Sequence, residues 1–353
     1  MTNFENPAAF FLLLLIPLLY ILRHTKIFNQ ISFPAVLADW DGRAFEWKGK
    51  TQKILSVFAG QAKAPLKTIG TVLAIMLLYA VFDSYKDSLK ISPTQQVLDT
   101  VVTLCITCAI VIPITSVIAY ATSAIKSAGT FMLSYIPIMA VVLIASGRQL
   151  AGSSYYASMI LAGEGVVQIS SNVITPVLNG FLGISVTSAV TPNINLKGVT
   201  QLLNKLIKWS LAFIMTIFSG FLTFKSIIAT AVDNVSVRAV RFTLSSFIPI
   251  VGSALSEAYK TVQSSVNMLK SGIGVLVIIA VGFIFLPVIS QCLIWMISLN
   301  ISKSVGEVLN LTLPCTLIGN VISVISTLFA VITCIMSVFI ISTAVILMAG
   351  GAS

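Results

Sequence analysis

"SGIGVLVIIAVGFIFLPVISQCLIWMISLNIS", Ser271–Ser302, runs for 32 residues without a charge, between Lys270 and Lys303. About 20 apolar residues suffice to carry a helix across a bilayer. The run is therefore long enough to cross with residues to spare. It is not alone. Thr100–Ile125 (26 residues), Ser127–Gly147 (21), Gly165–Leu196 (32) and Val308–Ser353 (46) are also free of charge. Shorter candidates lie at Pro7–Leu22, Thr68–Phe82 and Trp209–Phe224. The chain as a whole is 57% hydrophobic and 9% charged, where a soluble domain carries about a quarter charged residues. These features predict an all-α, polytopic membrane protein with about seven to nine transmembrane segments, its main partner the lipid bilayer.

The net charge of +10 does not point to nucleic acid. Eight of the 21 basic residues fall in Arg23–Lys67, which is how a cytoplasmic loop looks under the positive-inside rule. With the N-terminus outside and nine crossings, including a weak one at Phe242–Leu255, 14 Lys/Arg are cytoplasmic and 7 are outside. Lys260 and Lys270 then fall in the cytoplasm, and Arg148, Lys225 and Arg238 fall outside. The five cysteines all lie in apolar runs, so no disulfide framework is expected. Cys105 and Cys108 form a C-x-x-C in "TLCITCAIV", where nothing supplies the polar setting a redox thiolate needs, and small core residues are the expectation.

Residues 1–60 predict a membrane anchor followed by a basic cytoplasmic loop. Pro7–Leu22 carries its charges after the apolar run, as Arg23, His24 and Lys26, which is the reverse of a secretion signal. Phe4, Pro7, Leu13–Leu15, Pro17, Leu22-Arg23 and Ser32-Phe33-Pro34 resemble the anchor of aerotolerance-type membrane proteins that carry a von Willebrand factor A domain. That resemblance stops near residue 57. No D-x-S-x-S motif follows, so the metal-dependent binding of that family is not implied.

Residues 61–125 hold two predicted transmembrane segments, and the remainder shows an internal repeat. Ser134-Tyr135-Ile136-Pro137-Ile138 recurs 112 positions later as Ser246-Phe247-Ile248-Pro249-Ile250, and Pro176 recurs 111 later as Pro287. Two matches in register predict related units at 126–236 and 237–353. With about three segments in each, the second unit would be inverted relative to the first, as in transporter folds with broken helices. Pro137, Pro176, Pro249, Gly252 and Pro287 are the expected helix breaks.

Between two apolar blocks, "SSFIPIVGSALSEAYKTVQSSVNMLKSGIG", Ser245–Gly274, is rich in small polar residues. Leu255, Tyr259, Val262, Val266 and Leu269 fall on one helical stripe. Ser253, Ser256, Glu257, Lys260, Ser264, Asn267 and Ser271 fall on the other. Two settings suit such a helix: the membrane interface or a helix–helix contact, and the wall of a water-filled path. The polar residues are thus candidate path-lining or partner-contact positions. "LKGVTQLLNKLIKW", Leu196–Trp209, reads as a second amphipathic piece, a surface helix or connector.

Enzymatic signatures are absent from the sequence. With one histidine, His24, there is no H-E-x-x-H and no His-based triad, and there is no G-x-x-x-x-G-K-[ST] phosphate loop. No catalytic residue, metal or cofactor is expected. Glu164 and Asp233 border apolar runs, and loop positions suit both better than intramembrane ones.

Phe247-Ile248-Pro249-Ile250-Val251-Gly252, Ser256-Glu257-Ala258, and Leu269-Lys270 with Gly274 resemble the pattern of the stage III sporulation protein AE family. "FMLSYIPIMAVVLIASG", "NKLIKWSLAFIMTIFSGFLTF" and "AVDNVSVRAVRF" are similar to it as well, so the resemblance covers roughly residues 65–350. It implies a non-enzymatic, multi-pass subunit of a secretion-like channel, in the mother-cell membrane around the forespore. The partners it implies are the other stage III A proteins, a separate ATPase subunit among them, and a forespore channel protein. Members of that family usually begin with a secretion signal, where this sequence carries the anchor. Two other functions fit the residues: an ion-coupled secondary transporter of a small solute, resting on the repeat with Glu164 and Asp233, and a passive membrane scaffold.

Overall fold

The computed structural model describes residues 47–89, 92–190, 197–247 and 252–348, and every described element is helical. The order is α1 (Trp47–Leu89), α2 (Ser92–Ala145), α3 (Gln149–Ile169), a π-helical turn (Ser170–Ile174), α4 (Thr175–Val190), α5 (Lys197–Phe247), α6 (Gly252–Val308) and α7 (Thr312–Met348). The all-α, membrane-spanning architecture expected from composition is the one found. The N-terminal anchor and Pro249 lie outside the described residues.

The segmentation differs from the sequence expectation. Among the described residues, five helical stretches are long and apolar enough to cross a membrane: Gly60–Phe82, Thr100–Ala145, Gly198–Val240, Glu257–Val308 and Thr312–Leu347. The runs Thr100–Ile125 and Ser127–Gly147, counted separately at Lys126, are one helix, α2, because a single exposed lysine does not stop a helix. The weak crossing expected at Phe242–Leu255 includes residues 248–251, which lie outside the described residues. Its start is the end of α5 and its finish is the beginning of α6. At 57 residues, α6 is roughly 85 Å long, well over the ~30 Å of hydrocarbon in a bilayer.

Pro137 and Pro287 do not break their helices. α2 passes through Pro113 and Pro137, and α6 through Pro287. Each proline removes one backbone donor, a loss that neighbouring helices let an apolar helix tolerate. Pro176 is the second residue of α4, one residue past the π-helical turn, and Gly252 starts α6. The expected unit boundaries at 126 and 237 fall inside α2 and α5, so both helices carry the chain across them without a linker.

Two tight corners share one geometry. After α2, Gly147 takes a left-handed φ of 81°, with Arg148 N donating to Leu143 O (3.1 Å) and Gly147 N to Ile144 O (2.9 Å). After α6, Asn310 takes φ 57°, with Leu311 N donating to Gly306 O (2.9 Å) and Asn310 N to Glu307 O (3.1 Å). Both are Schellman closures, which favour Gly and tolerate Asn at the left-handed position.

α7 is the central helix. It packs on α6, α5, α4 and α2, and Leu317, Ile318, Val321, Val324, Ile325 and Ile332 are fully buried. α6 and α7 run antiparallel and close. A Cβ at Gly274 would collide with Leu347, and one at Gly306 with Met76 and Cys315. α5 shows the opposite character, with Trp209, Phe213, Ile217 and Phe224 all exposed on an apolar outer face suited to lipid. Cys105 and Cys108 are exposed on α2 and are not core residues, whereas Cys292, Cys315 and Cys334 are buried free thiols. Their i, i+3 spacing keeps Cys105 and Cys108 near one face, and that face is turned outward.

Candidate functional site

The densest buried polar cluster forms where the α2–α3 corner meets α5, α6 and the end of α7. Its charged members are Arg148, Asp233 and Lys270, exposed by only 3%, 3% and 1%. Charges this deep need partners, and the partners come from different helices. The Asp233 carboxylate on α5 accepts from Leu150 N (3.0 Å) and Ala151 N (2.7 Å), so it caps the N-terminus of α3 from outside that helix. Burial pulls the Arg148 guanidinium below its usual pKa, and the charge of Asp233 opposes that shift. Lys270 Nζ donates to Ile346 O at the end of α7 (3.4 Å) and is close enough to Arg148 to feel its charge.

α6 closes the corner with neutral groups. Gln263 Nε2 donates to Ser146 O (2.9 Å), and Ser146 Oγ to Leu143 O (2.7 Å). The hydroxyl of Tyr259 lies 2.7 Å from where a Cβ on Gly147 would sit, and Val237 of α5 lies beside it. Gly147 is thus demanded twice, by its φ and by contact. Gln263, between Lys260 and Lys270, is bonded to Ser146 beside Arg148, where the expected topology held these segments apart on opposite sides of the membrane. Counting every apolar run as one crossing put them on opposite sides, whereas α5 and α6 are continuous rods that return the chain to the same corner.

The face that α6 turns to the bundle also differs from the expected stripe. Gln263 and Lys270 are its most buried early residues, while Val262 and Leu269 are exposed at 59% and 56%. Tyr259 and Val266 are half-buried, as is Asn267, whose Oδ1 is enclosed without a hydrogen-bond partner. Glu257 and Lys260 are exposed and 3.8 Å apart, and Ser264 and Ser271 are exposed. The side chains of Ser253 and Ser256 lie outside the described residues. Hydrophobic periodicity failed here because the buried face pairs Gln263 and Lys270, seven residues apart, with backbone carbonyls. Asp233 belongs to a buried helix position rather than a loop, and Glu164 is exposed on α3. The one signal that could have found the corner is Arg148, a lone cation between two long apolar runs.

Beyond this corner both α5 and α6 continue. α5 runs from Asp233 to Phe247 and α6 begins at Gly252 before reaching Gln263, giving extensions of roughly 15–20 Å past the corner. Val240, Phe242 and Val262 are exposed along them.

A second polar level lies towards the start of α7. Thr327 Oγ1 donates to Asn204 Oδ1 (2.8 Å), Lys208 Nζ to Ser326 Oγ (3.1 Å), and Asn320 Nδ2 to Ser185 O (3.2 Å). These bonds tie α4 and α5 to the central helix. An open groove of about 530 Å³ separates α2 from α4, lined by Thr107, Cys108, Thr115, Thr175 and Asn179 among apolar neighbours. Among the described residues no group of three His, Cys, Asp or Glu side chains could hold a metal ion.

The family model described as "Stage III sporulation protein AE" matches residues 32–350. The match begins upstream of the expected residue 65, inside the stretch expected to be unrelated to this family. A curated relative, "Stage III sporulation protein AE" of Bacillus subtilis (strain 168), is 23% identical over 291 residues, covering 80% of this chain and 71% of the relative. No solved structure matches.

Proposed function

Because the chain belongs to the stage III sporulation protein AE family, we propose that it is a non-enzymatic membrane subunit of the channel assembly that links mother cell and forespore. It sits in the mother-cell membrane around the forespore and works with the other stage III A proteins, a separate ATPase subunit among them, and with a forespore partner. The observation that carries this reading is the family match over residues 32–350. The helices add a physical argument. α5 and α6 reach past the polar corner with exposed residues, and a subunit that joins others needs such a surface. Ser253, Ser256, Glu257 and Lys260 belong to that extension and Ser264 is exposed at its edge beside Gln263, which favours partner contact over path-lining for them. Asn267 faces inward. Pro7–Leu22 is read as a membrane anchor for the subunit, followed by a basic cytoplasmic loop.

The transporter alternative has less support. Both oxygens of Asp233 are engaged in capping α3, and Glu164 is exposed, so neither is placed as a buried carboxylate free to exchange an ion.

Deleting the gene in its host tests the reading. Heat-resistant spore counts should collapse after engulfment, with forespore reporter fluorescence failing to develop. Normal spore yield with full forespore expression would overturn it.

A further inference from the structure

Lys225 of α5 lies in the long apolar stretch Gly198–Val240, where an ammonium group is costly unless something offsets its charge. Its neighbours are neutral. Nζ donates to Ser158 Oγ of α3 (3.3 Å) and sits 4.8 Å from the centre of the Phe221 ring. It borders a cavity of about 30 Å³ between α3, α5 and α7. Ser154, Ser158 and Ser226 line that cavity, Ser342 of α7 closes one side, and no acidic side chain reaches it. Asp233, eight residues further along α5, is already held by Leu150 N and Ala151 N.

We propose that Lys225, Ser158 and Ser226 bind one small monovalent anion, chloride under ordinary conditions, in the cavity between α3, α5 and α7. The donor set fits an anion and not a cation. Ser158 accepts from Lys225, which leaves its own proton to point into the cavity. Lys225 keeps two further N–H groups, and Ser226 adds a hydroxyl. Ser342 donates to Phe339 O (2.9 Å), so it supplies a wall and not a donor. Tyr155 also borders the cavity and contributes ring surface to its wall. The volume admits one or two waters or a single halide, and excludes a phosphate group and its oxygens. The bound anion supplies the countercharge that no side chain among the described residues supplies to Lys225. This inference does not depend on the channel reading.

Chloride-35 NMR on the full-length protein in detergent micelles tests it. Wild type should broaden the chloride line beyond the empty-micelle background, and bromide should reverse the effect where sulfate does not. Lys225→Gln should abolish the excess broadening. Ser158→Ala should weaken binding about tenfold, the value of one hydrogen bond to a charged group. Background linewidth in wild type, or full broadening in Lys225→Gln, would overturn the site. Should Lys225→Gln fail to fold, Ser158→Ala and Ser226→Ala decide, because unchanged binding in both overturns it equally.

Discussion

Asp233 caps a helix to which it does not belong: its carboxylate accepts from Ala151 N at 2.7 Å, and 82 residues separate the two. Asp233→Ala should therefore remove the cap of α3 and strip Arg148 of its nearby countercharge in one change. Loss of a cap costs about 1 kcal/mol, and breaking a buried charge pair about 3–5 kcal/mol. Thermal unfolding in detergent should show a large drop for Asp233→Ala and a smaller one for Asp233→Asn, which retains one acceptor. The double variant Arg148→Met/Asp233→Ala should lose less than the sum of the singles. Additive losses would show that the two charges do not act as a pair.

Gly147 carries two separable demands. Gly147→Ala meets the left-handed φ of 81° and the Tyr259 hydroxyl at 2.7 Å. Left-handed backbone costs a non-glycine residue about 1–2 kcal/mol. Adding Tyr259→Phe removes the oxygen and should restore part of the lost stability, leaving the backbone term. Complete restoration would mean that the corner's φ is not a constraint.

The close approach of α6 to α7 rests on Gly274 facing Leu347. Gly274→Ala should lower stability by about 1–3 kcal/mol, the usual cost of overpacking. Leu347→Ala in the same chain should relieve it. Melting curves of the two singles and the double settle the matter: a double worse than both singles would place the two residues out of contact.

The extension beyond the corner should be dispensable for folding but not for assembly. Ser256 lies in that extension, and Ser264, eight residues on, is exposed at its edge beside Gln263. Ser256→Leu with Ser264→Leu should leave membrane accumulation near wild type while heat-resistant spores fall by orders of magnitude. Ordinary spore yield from that strain would remove these residues from the partner contact.

The membrane class was legible from Ser271–Ser302 alone, because a long uncharged run has few alternatives in water. The helix boundaries were not. Lys126 looks like a loop residue in a hydropathy trace, yet it sits exposed on an unbroken α2. Pro137 and Pro287 look like breaks, and the chain passes both. The buried corner was hidden for a related reason. Gln263 and Lys270 count as polar in any periodicity, and only the carbonyls of Ser146 in the α2–α3 corner and Ile346 of α7, both remote in sequence, make them inward-facing. Local pattern reports what a residue prefers, whereas this cluster depends on what the other helices bring to it.

The π-helical turn at Ser170–Ile174 works as a phase shifter. One residue inserted into an α-helix rotates everything downstream by about 100°. α3 and α4 form a single rod in sequence, yet α3 packs chiefly on α2 and then on α5, while α4 packs chiefly on α7. The bulge lets one length of helix serve two neighbours. Without it, the face that places Ser185 beside Asn320 would be clocked a quarter-turn and more around the axis, and the rod could satisfy the polar level at only one of its two ends.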